Sequence, residues 1–255
     1  MSAIHLIPHG PIAELRLDNP AKLNAFTPDM LDSLEAHLAA IESDPAIRFV
    51  ILTAEGDRAF CAGADINAWG DLSPGDFARF WVRDGHRRFD RLAGLSKPTI
   101  AALSAHTFGG GLELAIACDI RVMAPKATIA LPEPRVGIVP GWSGTQRMTR
   151  LLPEPVVKEM ALFGRRIGAE RATALGFAAE IAEDCRARAF EIAEAALETS
   201  AYSTEIVKYM IHAGVGEDRS AMVETLGSGM IAASFDKAEG VSAFREKRKP
   251  SFEGR

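Results

Sequence analysis

The interleaving of short apolar runs with stretches of helical spacing constrains this chain more than any other feature. Runs at 49–53 (FVILT), 99–105 (TIAALSA), 120–124 (IRVMA) and 128–132 (TIALP) read as strands, and segments around them carry apolar residues at helical intervals. Strands and helices that alternate in this way build an α/β sheet. Ahead of them, residues 3–7 and 12–18 alternate apolar with polar around His9-Gly10-Pro11, the pattern of a hairpin. Thr27 and Pro28 supply an N-cap and a first-turn proline, after which Met30, Leu34, Leu38 and Ile41 recur at helical spacing. Residues 54 to about 72 read as irregular, Ser73-Pro74 reopens a helix to about Leu95, and a further helix occupies about 111–118. Beyond Trp142 the pattern is mostly helical, with a short strand near 178–182.

A chain of 255 residues is long enough for one sizeable core. Its 47% hydrophobic and 25% charged residues exclude disordered, collagen-like and low-complexity classes. The formal net charge of −5 gives no footprint for a nucleic-acid backbone. Cys61, Cys118 and Cys185 lie far apart and assemble neither a disulfide framework nor a CxxC metal site, so a reducing cytoplasm is the expected compartment. MSAIHLIPHG lacks an export signal and no run of about 18 apolar residues occurs, so the expectation is a soluble protein that neither leaves the cell nor spans a membrane. From about Ala201, Met222, Leu226 and Met230, then Phe235, Val241 and Phe244, stand at approximate helical spacing. Such a surface either covers the chain's own core or forms a subunit interface, and spacing alone leaves both open. The closing SFEGR is expected to fray.

The strongest chemical feature is Phe108-Gly109-Gly110-Gly111-Leu112-Glu113-Leu114-Ala115, where a strand hands over to a helix. No Gly-Lys-Ser/Thr follows, and Leu114 stands where a dinucleotide fingerprint needs its third glycine. The glycines suit either close packing of helix on strand or the approach of a ligand oxygen to main-chain N–H groups. Phe60-Cys61-Ala62-Gly63-Ala64-Asp65 is a second small-residue loop after an earlier strand. One N–H from each loop would make a two-donor hole for a thioester or ester oxygen.

Glu113, in a first helical turn, has an ordinary reading as a complement to the helix dipole, and Glu133, between Pro132 and Pro134, as a solvated loop residue. Combined with a two-donor hole, the pair suits addition of water to a polarised double bond: one carboxyl takes a proton from water and the other gives one to carbon. Gly141-Trp142-Ser143-Gly144-Thr145 breaks the nucleophile-elbow pattern at its last glycine, and no HExxH or His-Cys cluster surrounds any of the six histidines. His106 reads as structural or pocket-lining, and Cys61 and Cys118 as buried thiols.

FCAGADI (60–66), GGGLELA (109–115) and LPEPRVGIVPGWSGTQR (131–147), with 19–25 (NPAKLNA), 164–169 (GRRIGA) and 244–248 (FREKR), resemble the crotonase, or enoyl-CoA hydratase/isomerase, superfamily. These motifs span nearly the whole chain in the family's order. The resemblance implies a crotonase-like α/β spiral of ββα units over 1–200 and a helical region, 201–255, used for trimerisation, commonly as a dimer of trimers. It implies an acyl-CoA thioester whose oxygen is held by the N–H groups of Ala64 and Gly110, with Glu113 deprotonating water and Glu133 protonating the α-carbon. It implies no metal or redox cofactor, CoA being part of the substrate. By the same resemblance CoA runs along Lys22-Leu23 and from Ala62 through Asp65 to Ile66, while Phe244 and Lys247, often from a neighbouring subunit, reach the nucleotide.

The sequence departs from the family's usual pattern at Ser104-Ala105-His106-Thr107, where Asn-Gly is common, and at Trp142-Ser143, where small residues are. An indole at 142 narrows the acyl pocket or stacks on a flat acyl group. Trp69, Phe80 and Trp81 fall in the variable region that shapes acyl specificity in the family. The resulting expectation is an enoyl-CoA hydratase. Isomerisation, hydration or dehydration of a carnitinyl- or aryl-propenoyl-CoA, and a catalytically silent homologue are the alternatives.

Overall fold

The computed structural model describes residues 2–217 and 219–254; the side chains at 219–223 and 226, Met222 and Leu226 among them, lie outside the described residues. The chain forms two compact units, Met1–Thr199 and Ser200–Arg255.

In the first unit the strands are, in chain order, β1 (Ala3–His9), β2 (Ile12–Asp18), β3 (Phe49–Ala54), β4 (Ala59–Cys61), β5 (Thr99–Leu103), β6 (His106–Phe108), β7 (Ile120–Met123), β8 (Thr128–Ala130), β9 (Ile167–Gly168) and β10 (Glu180–Ile181). They form a six-stranded sheet, β1-β2-β3-β5-β7-β10, and a four-stranded one, β4-β6-β8-β9. Only the β1–β2 hairpin and the β8–β9 pair are antiparallel among the described residues. Each consecutive pair β3–β4, β5–β6 and β7–β8 gives one strand to each sheet before a helical segment follows, so the chain winds as a spiral of strand, strand, helix. β3 and β5 are buried almost throughout, as strands covered on both faces must be, which explains their unbroken apolar runs. The helix Pro28–Ser43 starts where Thr27 Oγ1 accepts the Met30 N–H at 3.3 Å, and it buries Met30, Leu31, Leu34, Leu38 and Ile41.

The stretch 54–72 is more ordered than its sequence suggests: it contains β4 and the short helix Ile66–Trp69, capped by Asp65. The helix opened by Ser73 winds as a π-helix over Phe77–Val82 before continuing as Arg83–Ala93. β6 and β9 also escape the apolar pattern, being only three and two residues long.

An ion pair between a buried carboxylate and a half-exposed guanidinium ties down the last helix of this unit. Arg186, on the helix Cys185–Ala196, grips the Glu14 carboxylate with two bonds of 2.8 Å, while Thr53 and His9 donate from 2.7 and 2.9 Å. Burial alone raises the Glu14 pKa, yet these bonds outweigh it and hold the carboxyl down at about 2.

The second unit consists of the helices Ala201–Gly214, Arg219–Ala232 and Phe235–Glu246. Met210, Ile211, Met230, Phe235 and Phe244 are exposed on it. Its tail does not fray: the N–H of Ser251 donates to Glu239, and those of Glu253 and Gly254 to Asp236, at 2.7–2.9 Å.

Candidate active site

The two small-residue loops meet. Gly63, at φ +112°, lies so close to the second loop that a Cβ on it would stand 3.5 Å from the Gly110 nitrogen. Beside it Ala64 forms a parallel bridge with Phe26: the Phe26 N–H donates to Gly63 O at 2.8 Å and the Asp65 N–H to Phe26 O at 2.9 Å. Strand alternation turns the intervening Ala64 N–H the other way, where it has no acceptor among the described residues. Gly110 opens the helix Gly110–Ile116, so its N–H has no acceptor within that helix. Ala64 and Gly110 line one cavity of about 350 Å³, within the range of small-molecule sites.

The glycine run answers to three neighbours. Gly109 takes φ +52°, and a Cβ there would lie 3.0 Å from Glu133 Oε1. A Cβ on Gly110 would lie 2.8 Å from the Trp142 ring, and one on Gly111 2.4 Å from Cys61 O. Close packing of helix on strand is therefore real at Gly111.

Both glutamates reach the cavity. Glu113 is 2% exposed, and its Oε1 accepts the N–H groups of Trp142 at 2.7 Å and Gly144 at 2.8 Å. Burial pushes its pKa up to about 7; the Glu133 charge adds to the rise, while the two N–H donors and Arg147 oppose it. Glu133 begins a single 3₁₀ turn, Glu133–Val136, and is 7% exposed, which overturns the solvated-loop reading. Its Oε2 is buried without a hydrogen-bond partner, and burial pushes its pKa up to about 7. Perturbed carboxyls paired at a cleft make this cavity the candidate active site.

Ile66, Trp69, Phe77, Trp81, Val82 and Trp142 give the cavity an apolar wall. Phe80 does not belong to it; it is 62% exposed, and Phe77, which the sequence did not single out, lines the site instead. Trp142 lines the cavity although it is only 3% exposed. Its Nε1–H donates to Trp81 O at 3.2 Å, and its ring packs edge-on against Phe26 and Phe89 at centroid distances of 6.0 and 5.0 Å. A Cβ on Gly110 or Gly85 would collide with it, so two glycines hold the slot it fills.

Of the remaining residues expected at the site, Ala62 and Ile66 line the cavity, whereas Lys22, Leu23 and Asp65 do not. Lys22 Nζ instead pairs with Asp65 Oδ2 at 2.6 Å, and this bond holds the Asp65 carboxyl below its ordinary range. Phe244 and Lys247 lie in the second unit, both exposed, with Lys247 ending its helix at φ +55°. His106 does not line the cavity; it stacks on Phe108 and bonds Thr128 Oγ1 through Nδ1 at 3.0 Å. Arg135 and Arg166 line the cavity without having been picked out by sequence. Their only signal was membership of the PEPR and GRRIG segments, since an isolated arginine carries no spacing pattern. All three cysteines are free and buried. Among the described residues no three His, Cys, Asp or Glu are grouped to hold a metal, and no helix is long and apolar enough to cross a membrane.

Residues 9–255 match the family model described as enoyl-CoA hydratase/isomerase. A probable enoyl-CoA hydratase of Bacillus subtilis is 35% identical, with 100% of each chain covered. The crotonyl-CoA hydratase of Syntrophomonas wolfei is 33% identical over 94% of each chain. Among solved structures, the enoyl-CoA hydratase of Bacillus anthracis superposes with a TM-score of 0.81 at 30% identity, covering 99% of each chain. The α/β spiral described above is thus the fold of the crotonases.

Proposed function

The chain belongs to the enoyl-CoA hydratase/isomerase family, and from that premise we propose that it adds water, reversibly, across the 2,3 double bond of a 2-enoyl-CoA thioester. The observation that carries the reading is the conjunction at one cavity of two buried carboxyls in different hydrogen-bonding states with the N–H groups of Ala64 and Gly110.

The thioester oxygen sits between the Ala64 and Gly110 N–H groups and takes up negative charge as the conjugated bond is attacked. A single donor of this kind is typically worth about 10²–10³ in rate. Two N–H bonds on one oxygen favour the carboxylate form of Glu113, which accepts a proton from water while the water oxygen bonds to C3. Glu133, with an unpartnered buried oxygen, is better kept as the acid and gives its proton to C2. One water has then been added, with a net move of one proton from Glu133 to Glu113, and burial raises the pKa of both carboxyls.

The rest of the substrate is assigned on the same footing. CoA passes along Lys22, Leu23, Ala62, Asp65 and Ile66, and its nucleotide is met by Phe244 and Lys247. The exposed apolar side chains of the second unit, Met210, Ile211 and Met230 among them, support self-association as a trimer or a dimer of trimers. Three free cysteines suit a reducing compartment, in keeping with a cytoplasmic enzyme.

The test is the loss of conjugated-thioester ultraviolet absorbance on mixing the protein with crotonyl-CoA, with Glu133→Gln as control. Fast loss in the wild type alone bears the reading out. No loss, under conditions where the CoA ester binds, rejects crotonyl hydration and moves the search to another acyl group or reaction.

A further inference from the structure

Residue 143 is a serine with φ +77°, in the left-handed region that glycine occupies freely and other residues do not. The conformation has a consequence for Glu113. The N–H groups on either side, those of Trp142 and Gly144, converge on the same Glu113 oxygen at 2.7 and 2.8 Å. A left-handed residue between two others is a backbone geometry that turns the flanking N–H groups toward one anion. The geometry at 143 and the hydrogen bonding of Glu113 are therefore one feature.

A closed ring of contacts holds this turn from the side of the helix Arg83–Ala93. Ser143 Oγ lies 3.2 Å from His86 Nδ1, and 3.4 Å from Nε2. His86 Nε2 lies 3.2 Å from Asp90 Oδ2, one helical turn on. Asp90 Oδ1 accepts from Arg147 Nη2 at 2.5 Å, and the main-chain N–H of Arg147 returns to Ser143 O at 3.0 Å. We propose that His86 is a positioning residue, which holds Ser143 in its left-handed conformation and so keeps the Trp142 and Gly144 N–H groups on Glu113.

The order Ser143, His86, Asp90 also invites a nucleophile reading, which the placement rejects. Ser143 is 6% exposed and does not line the cavity, while Glu113, Glu133 and the Ala64 and Gly110 N–H groups do. The charged groups around the relay are few: Asp90 faces His86 from its own helix with Arg147 beyond it, and Glu113 is influenced by Glu133 and Arg147. The inference rests on Glu113 acting as the base of the proposed hydration only for its kinetic consequence; the geometric consequence stands apart from it.

The test compares His86→Ala with the double variant His86→Ala/Ser143→Gly, after thermal unfolding has established that both are folded. Glycine takes φ +77° unaided, so the double variant should recover what the single one loses. In His86→Ala, crotonyl-CoA turnover should fall about tenfold, the effect of about one hydrogen bond, with KM little changed. Its acid limb should move to higher pH, because weaker N–H donors hold the Glu113 carboxylate less well. Adding Ser143→Gly should restore turnover and return the limb. Amide hydrogen exchange at Trp142 and Gly144 reads the same geometry with no substrate present: protection should fall in the single variant and return in the double. Unchanged protection in His86→Ala, or a double variant as impaired as the single one, overturns the proposal. A wild type inert to crotonyl-CoA but with this exchange pattern rejects crotonyl hydration and leaves the positioning role intact.

Discussion

Glu133→Gln should lower turnover at least about a hundredfold and, at the same time, shift the pH dependence of the protein's stability. Glu133 is 7% exposed, has an unpartnered oxygen, and is pushed by burial from an ordinary 4.5 to about 7. A folded-state pKa above the unfolded one means that the native state binds the proton more tightly between those two values. Stability therefore falls as pH rises through that window, and above about 7 the fold carries a buried carboxylate at full cost. Integrated from pH 5 to pH 8, the difference is about 2–3 kcal/mol. Glutamine has no charge to bury, so its stability relative to wild type should be greater at pH 8 than at pH 5 by that amount. Any constant cost of the buried amide cancels in the comparison. At roughly 2–4 °C per kcal/mol for a chain of this size, the Tm difference between variant and wild type should grow by roughly 4–12 °C from pH 5 to pH 8. Thermal unfolding followed by circular dichroism at the two pH values measures it, and crotonyl-CoA turnover should fall by at least about 10². A Tm difference that is the same at both pH values would refute the claim that burial holds a proton on this carboxyl.

Three further outcomes follow from the same contacts. Trp142→Ala should widen acceptance toward bulkier acyl groups, seen as a rise in kcat/KM for them relative to crotonyl-CoA, and should cost about 3–5 kcal/mol of stability as a buried aromatic is lost; an unchanged substrate profile would place the indole outside the acyl path. Arg186→Ala strands the buried Glu14 carboxylate, so unfolding in urea should show a loss of about 3–5 kcal/mol, and a loss under 1 kcal/mol would mean that Thr53 and His9 suffice. Sedimentation at micromolar concentration should give a trimer or hexamer, and a stable monomer would contradict the self-association drawn from the exposed apolar residues of Ser200–Arg255.

The α/β class and the pairing of Glu113 with Glu133 were legible because each rests on a local signal: an apolar run, a glycine run, a carboxyl between prolines. β4, β6 and β9 were not, since strands of two or three residues leave no alternation to count. β4 and β6 nevertheless lead directly into the loops that carry Ala64 and Gly110, so the two loops were visible in the sequence while the short strands that bring them together were not. That Phe77 rather than Phe80 lines the cavity was illegible for another reason. The helix widens to a π-helix across them, a change with no single-residue signature, and it leaves Phe77 and Trp81 on the cavity with Phe80 in solvent. The burial of Glu133 was equally invisible, because it depends on segments distant in sequence, Gly109 among them, closing over a turn that reads locally as an exposed loop.

Trp142 links the wall of the cavity to the hydrogen bonding of Glu113. Its main-chain N–H holds the Glu113 carboxylate, while its side chain is fixed by Trp81 O and by the slot between Gly85 and Gly110. The ring thus bears on the slot beside Gly110, and the peptide N–H of the same residue bears on Glu113. Small residues at 142 would uncouple these functions, since the loop could then present its N–H groups without any anchor in the core. With the indole present, the turn at 142–144 is set from two sides, by the aromatic cluster and by the His86–Ser143 contact. A substitution at 142 is therefore expected to alter the cavity wall and the hydrogen bonding of Glu113 together.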